Sequence, residues 1–279
     1  MRTLIYIELL KIFKKWRTYI GFIAIGILIP LAQWALYAGG MKGYQNMLTR
    51  QLGDAFISGG NILNGYLLAF ISLQGLYIHF PFLIVLVGGD LFSSEATAGT
   101  YRILLTRPIS RFKVVTSKFI AGLIYSGALL LWLFLLSFVV SIFLFGEGAL
   151  MVFISKIYIF ASDDVTWRFL MAYGFAYLSL SLICTLAFTF SSLVENAIGP
   201  IITSLAIIIV FTILSFLPFE VLDSFRPYFF TTYLDEWRLF FTDPIDIENI
   251  IKSAIIIVSH IIALYLITLS LFLKKDILT

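Results

Sequence analysis

The feature that most constrains this chain is a series of long stretches without Asp, Glu, Lys or Arg. Each has at least 21 residues, and a helix needs about 20 mostly apolar residues to cross a bilayer. The six stretches are 18–41, 55–89, 119–146, 169–194, 196–219 and 253–273. The second begins with Gly and Asn residues typical of a loop, so we place its helix near 66–89. Continuous apolar runs indicate helices rather than short alternating strands.

The composition leads to the same class of protein. Hydrophobic residues make up 61% of the chain and charged residues only 13%, against about 25% charged residues in a soluble domain. This is too little polar material to cover a surface exposed to water. We therefore predict an all-α integral membrane protein with six transmembrane helices in a single domain, residues 1–279. The first stretch is long for a cleaved signal peptide, so we expect it to remain as a spanning helix.

The distribution of basic residues predicts the orientation. With six spans, the segments 1–17, 90–118, 191–199 and 274–279 share one side of the membrane. They hold 12 of the 19 Lys and Arg residues and 5 of the 16 acids, so their net charge is +7 against −4 on the opposite side. Cytoplasmic loops carry the excess of basic residues. Both termini are therefore expected in the cytoplasm, and the chain in the cytoplasmic (inner) membrane.

The segment 1–17 has an amphipathic pattern. Apolar residues at helical spacing form one face (Ile5, Leu9, Ile12, Phe13 and Trp16), and charged residues form the other (Glu8, Lys11, Lys14 and Lys15). This pattern predicts a helix lying in the membrane interface, with its lysines toward anionic lipid headgroups. The alternative is a cytosolic extension of the first spanning helix.

Residues 93–118 form a basic island between two uncharged stretches, with five basic residues and one acid. A helix can begin near Ser93 and run to about Thr106. Pro108 disfavours helical geometry at the residue before it, and Ser110 can cap a second helix. Anchoring of the topology alone would explain the charge, but not this helix–proline–helix layout. The mixed basic and apolar face fits docking onto a soluble partner.

The same stretch carries a family resemblance. The motif Glu95-x-x-x-Gly99-Thr100, followed by Leu104-Leu105, Arg107-Pro108-Ile109-Ser110-Arg111 and Lys118-Phe119, resembles the cytoplasmic signature of ABC-2 type transporter permeases. These are the six-helix membrane subunits of ATP-binding-cassette exporters. The match is strongest over 86–125. It implies that 93–111 is a coupling helix that seats in a groove of an ATPase subunit. The implied contact residues are Glu95, Gly99, Thr100, Arg102, Leu104, Leu105, Arg107, Pro108, Ile109 and Arg111.

The resemblance also implies a set of partners. Two ATPase subunits would bind ATP and Mg, and a second permease copy or a paralogue would complete the membrane part, surrounded by lipid. The chain has no G-x-x-x-x-G-K-[ST] phosphate loop, so we expect no bound cofactor, no ATPase activity of its own and no nucleic-acid partner. Two alternatives stay open: a membrane anchor that does not transport, and an intramembrane enzyme. Nothing in the sequence selects a substrate.

The two histidines and the outer loop 218–251 lead to further predictions. His79 and His260 fall within apolar stretches, where an ionisable residue is a candidate pathway contact; the alternative is a neutral histidine bonded to a neighbouring helix. Pro81 predicts a kink close to His79. The outer loop 218–251 holds seven acids and two arginines among many aromatic residues, and we interpret it as an aromatic belt at the outer headgroups or a short re-entrant piece.

Overall fold

The computed structural model describes residues 1–35, 37–38, 63–99, 109–154 and 156–274. In this part the chain is mainly helical. The α-helices are α1 (Arg2–Phe13), α2 (Trp16–Ala35), α3 (Gly65–Tyr77), α4 (Phe80–Gly88), α5 (Ser93–Thr97), α6 (Arg111–Phe134), α7 (Val140–Phe145), α8 (Ser162–Leu193), α9 (Ile198–Phe216), α10 (Glu220–Asp223) and α11 (Ile247–Lys274). A π-helical segment, Leu135–Val139, joins α6 to α7.

Five of these elements are long and apolar enough to cross a membrane: α2, the continuous Arg111–Phe145, α8, α9 and α11. The helices α3 and α4 meet the same test only as a pair, because they have 13 and 9 residues. The pair is bent by 52° at the break between them. Pro81 lies in the first turn of α4, directly after this break. The predicted kink is confirmed, and its cause is a proline that cannot donate to the preceding turn.

Helix α8 lies at the centre of the bundle. It is mostly buried, whereas α9 and α11 are mostly exposed, and it contacts α4, α6, α9 and α11. Small residues permit this close approach. A Cβ atom added to Gly88 of α4 would lie 3.0 Å from the Cβ of Ala187, and one added to Gly122 of α6 would lie 3.0 Å from the Sγ of Cys184. The exposed apolar faces of the outer helices suit a lipid surrounding.

A two-stranded hairpin, which the sequence analysis did not predict, follows α7. Strands β1 (Leu150–Phe153) and β2 (Ile157–Phe160) are antiparallel, with Leu150 opposite Phe160. The Asn64 side chain ties the hairpin to the start of α3. It accepts from the backbone N–H of Leu67 at 3.1 Å, as a helix cap, and donates to the carbonyl of Ala149 at 2.7 Å.

The loop 218–251 is folded against the bundle. It contains α10 and three 3₁₀ turns, Arg226–Tyr228, Phe230–Tyr233 and Glu236–Phe241. Phe225 and Tyr228 are exposed, as a belt requires, but Trp237 and Phe241 are fully buried. The ring of Phe241 lies 4.9 Å from that of Phe169 on α8. The belt prediction is therefore wrong for the second half of the loop, because its aromatic rings bury more apolar surface in the core than they would at the headgroups.

Candidate functional site

Four segments meet at one end of the bundle. Helix α1 contacts α6. The backbone N–H groups of Phe92 and Ser93 donate to the hydroxyl of Ser191 at 2.9 and 3.0 Å. The Arg111 guanidinium donates to the carbonyl of Leu273 at 2.9 Å, near the end of α11. These contacts gather at one end parts of the segments 1–17, 90–118 and 191–199 and the end of α11 at Leu273, which precedes 274–279; the charge count assigned these segments to one side of the membrane.

This end contains a set of ion pairs that we call the charge cluster: Glu8, Lys11, Lys15, Arg17, Asp90, Glu95 and Lys118. Its centre consists of two carboxylates that share two lysines. The Lys118 Nζ atom lies 2.8 Å from Glu8 Oε2 and 2.8 Å from Glu95 Oε1. The Lys11 Nζ atom lies 2.7 Å from Glu8 Oε1 and 2.6 Å from Glu95 Oε1. Three of these four ion pairs join α1, α5 and α6, and the fourth, between Lys11 and Glu8, lies within α1.

A second group within the charge cluster surrounds Asp90, which follows α4. The Lys15 Nζ atom lies 2.6 Å from Asp90 Oδ2, and the Arg17 Nη1 atom lies 3.5 Å from Asp90 Oδ1. Lys15 also donates to the hydroxyl of Ser94 at 2.8 Å. Because Lys15 and Arg17 lie at the junction of α1 and α2, this group fixes that junction to the end of α4.

Burial and pairing have opposite effects on these charges. Burial alone raises the pKa of Glu95, but the charge of Lys118 and the hydrogen bond from Lys11 outweigh it and hold the pKa below its ordinary value. Burial alone lowers the pKa of Lys11, but its hydrogen bonds to Glu8 and Glu95 outweigh that effect and raise it. Both groups are therefore charged near neutral pH, and the Lys118 ammonium gains a further bond to the carbonyl of Leu91 at 3.0 Å.

The charge cluster changes the predicted surroundings of the charged face of α1. Its apolar residues Leu9, Ile12 and Phe13 do pack against the core. Its charged face is not turned to lipid headgroups alone: Glu8 is buried, and Lys11 and Lys15, which stay partly exposed, form ion pairs with Glu95 and Asp90 of the bundle. The exposed face carries Tyr6, Ile7 and Leu10, and Trp16 is exposed as well. The helical pattern could not show this, because Asp90, Glu95 and Lys118 lie more than 70 residues away in the sequence.

The residues that were predicted to contact an ATPase have different surroundings in the structure. Glu95 is buried within the charge cluster and not exposed toward a partner. Gly99 has a φ of +64°, a left-handed conformation that favours glycine and ends a helix. Ile109 packs against the core, and Arg111 binds carbonyl groups of α11. Outside the described residues lie Thr100, Arg102, Leu104, Leu105, Arg107 and Pro108.

The layout of the basic island is partly as predicted. Ser110 is the N-cap of α6, and its hydroxyl accepts from the backbone N–H of Lys113 at 3.4 Å. The prediction of one continuous helix from Ser93 to about Thr106 is wrong, because α5 ends at Thr97 and Gly99 has a left-handed conformation; residues 100–106 lie outside the described residues.

The two histidines bond to their own helices. The Nδ1 atom of His79 lies 3.1 Å from the carbonyl of Gly75, and that of His260 lies 2.8 Å from the carbonyl of Ile256. These contacts differ from the predicted bond to a neighbouring helix. Among the described residues, no group of three or more His, Cys, Asp or Glu side chains could hold a metal ion.

Sequence reasoning did not identify Glu8, Asp90 and Lys118 as one site. The sequence nevertheless contained a signal that Asp90 and Lys118 have partners, because both residues directly border uncharged stretches. A charge at the edge of an apolar run must reach water or a partner, and these two charges reach partners.

Comparisons with known proteins identify a family. Residues 45–278 match the family described as "Protein of unknown function (DUF2705)"; Asp90, Glu95 and Lys118 lie within this match, and the α1 part of the charge cluster precedes it. Uncharacterized protein YhcI of Bacillus subtilis (strain 168) is 34% identical over 64 residues. That alignment covers 23% of this chain and 20% of YhcI. Because the family match covers most of its length, the chain belongs to the DUF2705 family.

Proposed function

We propose that the chain is the membrane permease subunit of an ABC-2 type exporter in the cytoplasmic membrane, driven by ATP hydrolysis in a separate ATPase subunit. The observation that carries this proposal is the charge cluster at the start of the segment 93–111. Glu95 of α5 is paired with Lys11 of α1 and Lys118 of α6 at 2.6 and 2.8 Å. The segment that resembles a coupling helix therefore begins from a rigid attachment to the bundle.

This attachment gives the segment a mechanical connection to several helices. A displacement of α5 would act on α6 through Lys118 and on α1 through Lys11, while Asp90 links the end of α4 to the start of α2 through Arg17. The two ion pairs of Lys118 are short and its side chain is buried, so they resist separation because a lone buried charge is costly. A soluble partner that pushes on 93–111 would thus move the bundle rather than only the loop.

In the proposed assembly, α3 and α4 together form one bent span, which gives six spans with both termini in the cytoplasm. Two permease copies, identical or paralogous, associate with two ATPase subunits that bind ATP and Mg. Arg102, Leu104, Leu105, Arg107 and Pro108 provide the ATPase contact. Glu95 and Arg111 position this contact through their bonds within the chain.

The test is co-purification of the tagged chain in mild detergent, with identification of any ATPase subunit that carries a phosphate loop and follows it. Arg102→Glu combined with Arg107→Glu should abolish association, since loss of a buried charged contact costs about 2–5 kcal/mol per pair. The matched control is Lys14→Glu combined with Lys113→Glu, which changes the net charge of the same side equally at two exposed positions. Retention of the ATPase by the arginine double variant, or equal loss in both double variants, would contradict the proposed coupling contact.

A further inference from the structure

A cavity of about 450 Å³ lies beneath α1, beside the charge cluster. Its volume falls within the range of about 300–1,000 Å³ that is usual for ligand sites. The apolar part of its lining comes from α1, from α4 and the residues that follow it, from the end of α5 and from the residue before the Ser110 cap of α6. These apolar residues are Leu4, Ile7, Ile12, Leu86, Val87, Leu91, Ala98 and Ile109.

The charged part of the lining is layered. The side chains of Lys11, Lys15 and Arg17 are 41%, 35% and 40% exposed. Beneath them, the side chains of Glu8, Asp90 and Glu95 are only 9%, 4% and 11% exposed. The three lining cations Lys11, Lys15 and Arg17 are therefore more exposed than the lining carboxylates, each of which is already paired with a cation. This arrangement favours an anion over a cation.

The exposed cations retain donors for such an anion. Each lysine ammonium has three N–H donors; within the described chain Lys11 makes two contacts, with Glu8 and Glu95, and Lys15 makes two, with Asp90 and Ser94. Arg17 has five N–H donors and shows one ion pair, at 3.5 Å, among the described residues. A phosphate group can accept from all three side chains at once.

The position of the cavity indicates where this phosphate comes from. The cavity lies where α2 begins and α4 ends, and both helices are apolar beyond that level. Trp16 and Tyr19, in the first turn of α2, are exposed beside it, as aromatic residues commonly are at a membrane interface. Lipid phosphates lie at this depth, and the apolar lining can contact the glycerol and the upper acyl chain.

We propose that this cavity binds the headgroup of an anionic phospholipid, with Lys11, Lys15 and Arg17 donating to its phosphate. A zwitterionic headgroup fits less well because its ammonium group would need an exposed carboxylate, and the carboxylates here are buried. The inference requires only that α2 and α4 enter a membrane. It does not depend on an ATPase partner, and the test below contains none.

The test uses the full chain in neutral detergent and follows its melting temperature. Phosphatidylglycerol should raise the melting temperature, whereas phosphatidylcholine and inorganic phosphate should not. Arg17→Gln should need about tenfold more phosphatidylglycerol for the same rise, since one charge-assisted hydrogen bond corresponds to about that factor. The matched control is Lys14→Gln, an exposed lysine that does not line the cavity; its response should equal that of the unchanged chain.

A second variant keeps the test decisive if Arg17→Gln fails to fold. Ile7→Trp retains every charge and fills the apolar part of the cavity from a partly exposed position, so it should also weaken the response to phosphatidylglycerol. Equal responses of Ile7→Trp, Arg17→Gln and Lys14→Gln would overturn the proposal in favour of general surface attraction. If inorganic phosphate alone raised the melting temperature, the ligand would be a soluble phosphate and not a lipid. If phosphatidylcholine raised the melting temperature as much as phosphatidylglycerol, the site would not select anionic lipids.

Discussion

At the scale of single residues, Lys118 shows how this chain tolerates charge close to an apolar run. Its side chain is 1% exposed, and the cost of removing its ammonium from water is offset by two carboxylates and the Leu91 carbonyl. Such an arrangement is sensitive to the loss of one partner, because the groups that remain are left as buried charges.

We expect Lys118→Met to lower the stability of the chain by about 3–5 kcal/mol, since Glu8 and Glu95 each lose a buried ion pair and share Lys11 among the described residues. Thermal unfolding in detergent measures the effect. The control is Lys113→Met on the same helix, where the lysine is exposed and should have little influence. Adding Glu8→Gln to Lys118→Met should recover part of the loss, because it removes the excess negative charge. Equal melting temperatures for Lys118→Met and Lys113→Met would contradict the role of the charge cluster.

The lowered pKa of Glu95 predicts a dependence on pH. Its pKa is below the ordinary value of 4.5 in the folded chain, so its contribution to stability is fully present above pH 4.5. The contribution is lost as the pH falls through the folded-state value, because protonation is then easier in the unfolded chain. Thermal unfolding should therefore show a smaller acid destabilisation in Glu95→Gln than in the unchanged chain. Parallel pH profiles of the two proteins would argue against this pairing.

At the scale of elements, the uncharged stretches predicted where the long helices lie, but α6, α8 and α11 begin before their stretches, whereas α9 stays within its own. Helix α6 begins at Arg111 and α8 at Ser162, several residues before their uncharged stretches. Charges are accommodated there by partners: Lys118 by the charge cluster, and Arg168 by Asp164 and the carbonyls of Phe240 and Thr242. These partners come from distant parts of the sequence, so the count of charges alone underestimates helix length.

Contacts between distant parts of the sequence also limited the prediction of the candidate site. The sequence indicated 93–111 as a special segment and Ser110 as a cap, because both depend on local residue order. It did not show that Glu95 faces Lys11 and Lys118, because that contact depends on tertiary packing. The hairpin of β1 and β2 was missed for another reason: its strands have four residues each, too few for a clear alternating pattern.

Two glycines of α3 allow a test of helix packing. A Cβ atom at Gly65 would lie 2.5 Å from the Cα of Ile142 in α7, whereas one at Gly75 would meet nothing within 4 Å. We expect Gly65→Ala to destabilise the chain by about 1–3 kcal/mol, because the backbone of α7 must move. Gly75→Ala should be neutral or stabilising by up to about 1 kcal/mol, since alanine favours helix. Thermal unfolding compares the two, and equal effects would contradict the close contact between α3 and α7.

At the scale of the whole molecule, the contacts of Ser191 with Phe92 and Ser93, and of Arg111 with Leu273, place several inter-helix segments at one end. The hairpin and the loop 218–251 lie together at the other, where Arg168 contacts the Phe160 ring and the Phe240 carbonyl. The distribution of basic residues then predicts which end faces the cytoplasm.

Labelling of introduced cysteines tests this orientation. A membrane-impermeant maleimide should label Asp235→Cys in intact cells and should label Thr97→Cys only after permeabilisation. The native Cys184 is buried, so it should contribute little background in the folded chain. The reverse pattern would place the charge cluster on the outer side and would exclude the proposed coupling to a cytoplasmic ATPase.

The pairing of Glu8 with Lys118 also determines when the first helix can reach its final position during synthesis. The two residues are 110 positions apart, and a ribosome adds about 5–20 residues per second, so roughly 5–20 s separate their appearance. Through that interval Glu8 can pair with Lys11 within α1, but it lacks Lys118 and stays hydrated at the membrane surface. Helix α1 docks only when α6, the third spanning helix, has been inserted. Docking of α1 therefore marks the moment at which the first half of the bundle is complete.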